Sequence, residues 1–196
     1  AGAGGGCVIA IRRARAADAE AIGAVHVATW RGTYAGILPD SYLAGLSAGR
    51  QAAGWRRIVT APPPGHATFV AVATGPDSPD GVTPTVVGFA SGGRARSGAR
   101  EAGEIETLYL LEDFRERGVG RRLMRAVAAH LNAIGCRSVM LWVLKDNPTR
   151  WFYQHLGGRP VAEQTIRFAG QPVVQLGLLW EPIGVLLAAT QPTTNQ

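Results

Sequence analysis

Apolar residues change their spacing several times along this chain, and each change marks an element. Residues 8–11 form a short apolar run suited to a first strand. Asp18 stands where a helix cap is wanted, and Ile22, Val25, His26 and Trp30 then recur at helical spacing. Gly32-Thr33-Tyr34-Ala35-Gly36 breaks that pattern, and Pro39-Asp40 opens a short helical segment. Leu43 and Leu46, then Trp55, Ile58 and Val59, predict a second helical region, which Ala61-Pro62-Pro63-Pro64-Gly65 ends. The period then changes. Residues 68–73 and 85–90 are β-rich runs joined by Gly75-Pro76-Asp77-Ser78-Pro79-Asp80-Gly81, a hairpin with a long loop.

A further loop over 92–103 leads into a strand over 104–111. Residues 118–134 read as a helix, with Leu123, Val127, His130, Leu131 and Ile134 on one face. Residues 139–144 suit a buried strand, and 148–156 a short helix with Pro148 in its first turn. Residues 165–168, Gly170 and 173–180 predict a closing hairpin. Beyond Glu181-Pro182, the apolar run 183–189 is expected to pack back on the domain or on a partner, and 190–196 to fray. The order βααββ–βα–βα–ββ predicts an α+β, or mixed α/β, domain around one sheet.

Composition narrows the class. A chain of 196 residues, 46% hydrophobic and 17% charged, is the size and make-up of one globular domain. No apolar run approaches the roughly 18–20 residues of a membrane-spanning helix. Cys7 and Cys136 cannot build a disulfide framework, and no Cys/His cluster has zinc-ligand spacing. The expectation is a soluble, cytoplasmic domain over 8–180 without a metal, with residues 1–7 as a flexible leader and 181–196 as a tail. The net charge of +6 comes with 19 arginines and one lysine, Lys145, and Arg115, Arg117, Arg121, Arg122 and Arg125 crowd into one segment. Nucleic acid is one partner such a cluster would suit, but no basic–aromatic ladder accompanies it. A phosphorylated small molecule is the other.

The glycines among those arginines decide between the two. Leu108-Tyr109-Leu110 runs as a strand into Arg115-Glu116-Arg117-Gly118-Val119-Gly120-Arg121, which opens the helix. A helix start of this kind presents free backbone N–H groups where the macrodipole favours negative charge. Gly118 and Gly120 remove side chains where an anion would approach, and Arg115 and Arg117 add charge-assisted donors. The Gly-Lys-Ser/Thr of a Walker loop is absent, and the glycine spacing is not that of a dinucleotide fingerprint.

This segment resembles the acetyl-CoA-binding motif of the GNAT superfamily of N-acetyltransferases, Arg/Gln-x-x-Gly-x-Gly/Ala, matched by Arg115, Gly118 and Gly120. Leu108-Tyr109-Leu110 is similar to the strand whose backbone pairs with the pantetheine arm in that family. Glu112 and Glu116 depart from the pattern, where proline and glycine are frequent, and Glu116 is expected to point to solvent. Asn147-Pro148-Thr149-Arg150-Trp151-Phe152-Tyr153-Gln154-His155-Leu156-Gly157-Gly158 resembles the family's Asn…Phe-Tyr…Leu-Gly segment, and residues 29–39 a subgroup of its bacterial members.

The resemblance implies a mostly antiparallel sheet whose fourth and fifth strands splay to admit acetyl-CoA, the co-substrate. It also implies direct acetyl transfer to a primary amine of a small molecule or peptide. Backbone N–H near Leu110 would polarise the thioester carbonyl, and Asn147 would contact the cofactor. Tyr153, a phenol protonated at neutral pH, would give its proton to the departing thiolate. Glu104 and Glu106 sit two residues apart and are expected on one strand face. They would raise each other's pKa or bind a cationic acceptor, and Glu104 aligns with the glutamate that serves some members as base. Trp30, Arg31 and Tyr34 would border the acceptor. His26 reads as a packed histidine, while His66 and His130 show no partner in the sequence. Family members often dimerise through sheet edges or C-terminal strands, so a homodimer is expected. A non-catalytic acyl-CoA sensor is the alternative, with nucleic acid and membrane excluded as partners.

Overall fold

The computed structural model of the protein describes residues 7–75, 84–96 and 101–192. Among the described residues seven strands form one sheet: β1 (Val8–Arg13), β2 (Ala67–Thr74), β3 (Thr85–Arg94), β4 (Ala102–Leu110), β5 (Ser138–Leu144), β6 (Arg159–Phe168) and β7 (Gln171–Trp180). Their spatial order is β1-β2-β3-β4-β5-β7-β6, antiparallel throughout except between β4 and β5. Helices α1 (Ala19–Thr33), α2 (Asp40–Ala44) and α3 (Ala48–Thr60) precede β2; α4 (Val119–Ala133) and α5 (Arg150–His155) flank β5; α6 (Gly184–Ala189) ends the fold.

Each face of the sheet has its own core because each covering helix carries one apolar stripe. Val119, Leu123, Val127 and Leu131 of α4 meet Ala71, Val87, Ile105 and Leu141 of the strands on one face. Ile22 and Val25 of α1 and Trp55 of α3 meet Val70, Val72 and Phe89 on the other.

Two departures from regular pairing create the site. β4 and β5 pair only from Ala102 to Glu104, opposite Ser138 to Met140. Beyond Glu104 the strands part, while β5 stays paired with β7 through Leu144. On the other side of β4, Ser91 pairs with Thr107 but the next residue, Gly92, pairs with Ile105. Glu106 is therefore the extra residue of a β-bulge, which bends the strand away from its parallel neighbour.

The expected elements recur with shifted bounds. β3 runs on to Arg94 and β4 begins at Ala102, so the loop expected over 92–103 is shorter. The second helical region divides into α2 and α3 at Gly45. β6 starts at Arg159, six residues before the expected hairpin arm, because its first seven residues are exposed on both faces, and only Ile166 and Phe168, inside the expected arm, are half-buried. The run after Glu181-Pro182 packs back as α6, with Leu186 fully buried beside α4. Thr190, expected in a frayed end, is buried and donates to the Leu186 carbonyl (2.7 Å). The leader at 1–6, most of the β2–β3 link, residues 97–100 and residues 193–196 lie outside the described residues. Among the described residues no helix is long and apolar enough to cross a membrane.

Candidate active site in the cleft between two diverging strands

Where β4 and β5 part, a cavity of about 530 Å³ opens. β4 lines it with Glu106, Leu108, Tyr109 and Leu110, whose backbone edge toward β5 has no strand partner. The turn into α4 adds Arg115, Glu116, Gly118, Gly120 and Arg121, and the segment after β5 adds Asn147 and Tyr153. Most of the residues singled out in sequence therefore meet in one cleft.

At one end lies the start of α4. A short 3-10 turn, Glu112–Phe114, buries Phe114 and turns the chain out of β4. Glu116 (φ 61°) and Gly118 (φ 73°) then hold left-handed conformations, natural for glycine and costly for a side chain. Gly118 is the N-cap and offers no side chain to the first amides of α4, so among the described residues the N-cap leaves these donors uncapped where Gly118, Gly120 and Arg121 line the cleft. Arg115 donates to Thr33 Oγ1 (3.2 Å), tying the turn to α1. Glu116 is exposed, as expected. Two residues expected in the cradle lie outside the cavity lining. Arg117 stacks over the Phe114 ring (5.4 Å), and the Val119 side chain is buried in the core, leaving only its backbone available.

The middle of the cleft is phenolic. Tyr153, on α5, is buried among Tyr34 and Tyr109, and burial, reinforced by those two neighbours, pushes its pKa above the usual tyrosine range. Burial also raises Tyr109 and Tyr34, the latter opposed by the facing Asn147 side chain. All three are proton donors at neutral pH. Asn147 is buried, and its Oδ1 accepts from the Thr149 N–H (2.9 Å), fixing the turn into α5.

The other end is acidic. A second cavity of about 380 Å³ is lined by Arg96, Glu104, Ile105, Glu106, Trp142 and Gln175. Ile105, Glu106 and Trp142 line both cavities, so the two spaces adjoin there. Glu104 borders only the outer one, with the Arg96 guanidinium 4.0 Å away. Glu106 Oε2 lies 3.3 Å from His66 Nε2. That contact, against the opposing effect of burial and with help from Arg96, holds the Glu106 carboxyl below its ordinary range. His66, Arg96, Trp142 and Gln175 are among the site residues that the sequence reading does not single out, and no local pattern marks them.

Of the three residues expected around the acceptor, only Tyr34 lines the cavity. Trp30 packs behind it, ring centroids 4.9 Å apart. Arg31 is turned away: it donates to the carbonyls of Leu43, Ala44 and Leu46 and so closes α2. His26 is a packed residue, as expected, ringed by Trp30, Trp55, Phe89 and Tyr109. His130 bridges Arg13 and the Gly65 carbonyl, and burial pushes the Cys136 thiol up. Among the described residues no group of three His, Cys, Asp or Glu is placed to hold a metal.

An uncapped glycine helix start beside arginines, followed by an open strand edge, fits an extended thioester carrying a diphosphate. The family model described as acetyltransferase (GNAT) matches residues 39–157. The uncharacterized N-acetyltransferase YuaI of Bacillus subtilis is 32% identical over 180 residues, 91% of this chain and 96% of that protein. The PaiA N-acetyltransferase of Thermoplasma acidophilum, solved in complex with coenzyme A, has 18% identity and a TM-score of 0.61, over 89% of this chain and 99% of that one. The structure of yncA from Salmonella typhimurium with acetyl-CoA has 20% identity and a TM-score of 0.62, over 88% and 93%. Motif, cleft and relatives agree, and the chain belongs to the GNAT family of acetyltransferases.

Proposed function

We propose that this protein is an N-acetyltransferase that moves an acetyl group directly from acetyl-CoA to a primary amine of a small molecule or peptide. The observation that carries this reading is a pair of adjoining cavities, with a glycine–arginine helix start at one end, a buried phenol between and two carboxylates at the other end. Solved structures of the same fold that hold coenzyme A and acetyl-CoA support it. Bound acetyl-CoA would supply the acetyl group as a thioester.

The chain's own residues do the rest. The first amides of α4, with Arg115 and Arg121, would hold the diphosphate. The free edge of β4 would pair with the pantetheine amides, and backbone N–H near Leu110 would receive the thioester carbonyl. Tyr153 holds a proton for the leaving sulfur. An ammonium acceptor must lose one proton before it attacks. Glu106 is the better placed base because it lines both cavities, whereas Glu104 borders only the outer one. Glu104 then orients a cationic acceptor, the reverse of the assignment that resemblance alone favours. Trp142 offers that cation an aromatic wall.

A cytoplasmic setting, where free thiols such as Cys7 and Cys136 stay reduced, and a homodimer belong to the same proposal. Thiol release from acetyl-CoA, followed across a panel of amines, tests the activity. Amine-dependent release is the expected result; tight CoA binding without release from any amine would make the protein an acyl-CoA sensor instead.

A further inference from the structure

The acidic end of the cleft contains a histidine that the reaction as described leaves unused. His66 sits in the turn between α3 and β2, where its backbone N–H donates to the Pro63 carbonyl (2.9 Å). Its side chain is only 8% exposed. The seat is shaped for it: a Cβ at Gly93 of β3 would come within 3.3–3.5 Å of the His66 Cα, Cβ and Cδ2 atoms. His66 Nε2 and Glu106 Oε2 stand 3.3 Å apart, and since a carboxylate only accepts, a hydrogen bond between them requires the proton on His66 Nε2. His66 Nδ1 is then left buried, with no partner among the described residues. Burying an unpaired polar atom costs stability, and an apolar side chain in this seat would avoid that cost. The surrounding row is polar as well. Thr68 is buried two residues on, and Ser91 and Thr107 share a hydrogen bond of 2.7 Å across β3 and β4.

We propose that His66 is the positioning residue of the acceptor's base: its Nε2–H holds one oxygen of the bulged Glu106 and leaves the other aimed into the cleft. The proposal rests on the reading of Glu106 as base. The need is geometric, because the bulge removes Glu106 from the regular alternation of β4, and a glutamate has three rotatable bonds to fix. The need is also electrostatic. The other charged groups brought to this corner by the described residues are Arg96, two residues beyond β3, and Glu104, on β4. Glu104 would favour protonation of Glu106, while Arg96 and His66 oppose it. β5 and β7 bring Trp142 and Gln175, which do not titrate, and Tyr34 and Tyr109 in the adjoining cavity keep their protons at neutral pH. An ionised Glu106 takes the proton from the bound ammonium on its free oxygen, and the neutral amine is left with the lone pair that attacks the thioester.

The test follows the carboxyl itself. Carbon-13 NMR titration of Glu106, its signal assigned by loss in Glu106→Gln, is compared between the parent and His66→Ala. The midpoint is expected to rise by about one pH unit or more in His66→Ala. In His66→Gln, which keeps an N–H donor of similar reach, it should lie between the two. With acetyl-CoA and 1,4-diaminobutane, the acid limb of kcat/KM should move up with the carboxyl while KM for acetyl-CoA stays put. An unmoved carboxyl midpoint in a variant that still melts cooperatively overturns the positioning role. Should His66→Ala fail to fold, the His66→Gln midpoint and the nitrogen-15 shifts of the parent imidazole decide, and a ring without a proton on Nε2 overturns the proposal. Failure of the base reading looks different: Glu106→Gln would keep the parental acid limb, whatever His66 does to the carboxyl.

Discussion

The Trp55 indole N–H donates to His26 Nδ1 across 3.1 Å, joining α3 to α1 above the sheet. That bond requires a neutral imidazole with its proton on Nε2, since a protonated Nδ1 has no lone pair to offer. Burial holds the His26 pKa down to about 4, against an ordinary 6.5. The unfolded chain therefore binds more protons than the folded one between those two values. Stability is full above about pH 6.5 and falls as the pH drops toward about 4. Urea midpoints measured across this window should decline in the parent and flatten in His26→Phe. An equally steep decline in that variant would move the titration to another group.

Gly120 separates steric from electrostatic demands in the cradle. A Cβ there would lie 3.5 Å from Phe152 Cζ, an ordinary contact, so Gly120→Ala should bind CoA nearly as the parent does. Gly120→Glu places a carboxylate at the uncapped start of α4 and should weaken binding at least about tenfold, roughly 1.4 kcal/mol, with the fold retained. Calorimetric titration with CoA measures both, and equal affinity in Gly120→Glu would move the diphosphate elsewhere.

Tyr153→Phe keeps the ring in its packed seat and removes the one proton at issue. The turnover rate should fall roughly 10²–10⁴-fold while CoA affinity stays near parental. Turnover at the parental rate would leave Tyr153 a packing residue and direct attention to Tyr34 in the same cavity.

Glu104 and Glu106 should differ in kind. Glu104→Gln removes a charge that faces only the outer cavity, so KM for a cationic amine should rise at every pH with kcat little changed. Glu106→Gln should instead depress kcat/KM most near pH 7 and recover part of the loss near about pH 9, where more of the amine is already neutral. Recovery in Glu104→Gln alone would exchange the two roles.

Leu186 shows that α6 belongs to the core. It is fully buried in α6 beside α4, so Leu186→Ala should cost about 2–5 kcal/mol, read from chemical denaturation. A loss under about 0.5 kcal/mol would mean that α6 adds little to the fold.

What the sequence determined by itself is local. The apolar stripe of α4, the Gly118–Gly120 turn and the run from Asn147 to Tyr153 are set within a few residues, because helix period and backbone conformation depend on near neighbours. β6 stayed half hidden since an outer strand needs no buried face, and its pairing with β7 uses backbone groups that every residue carries. Tertiary structure alone decided the cleft and its chemistry. The β4–β5 divergence comes from a bulge at Glu106, a mismatch between strands that neither strand's sequence announces. Glu106 and His66 are forty residues apart in the chain, and the β2–β3–β4 register brings them to 3.3 Å. Arg31, expected beside the acceptor, instead closes α2 because the end of that helix brings the carbonyls of Leu43, Ala44 and Leu46 to its guanidinium. Sequence spacing fixes which face a side chain leaves; only strand register and helix packing fix what it meets there.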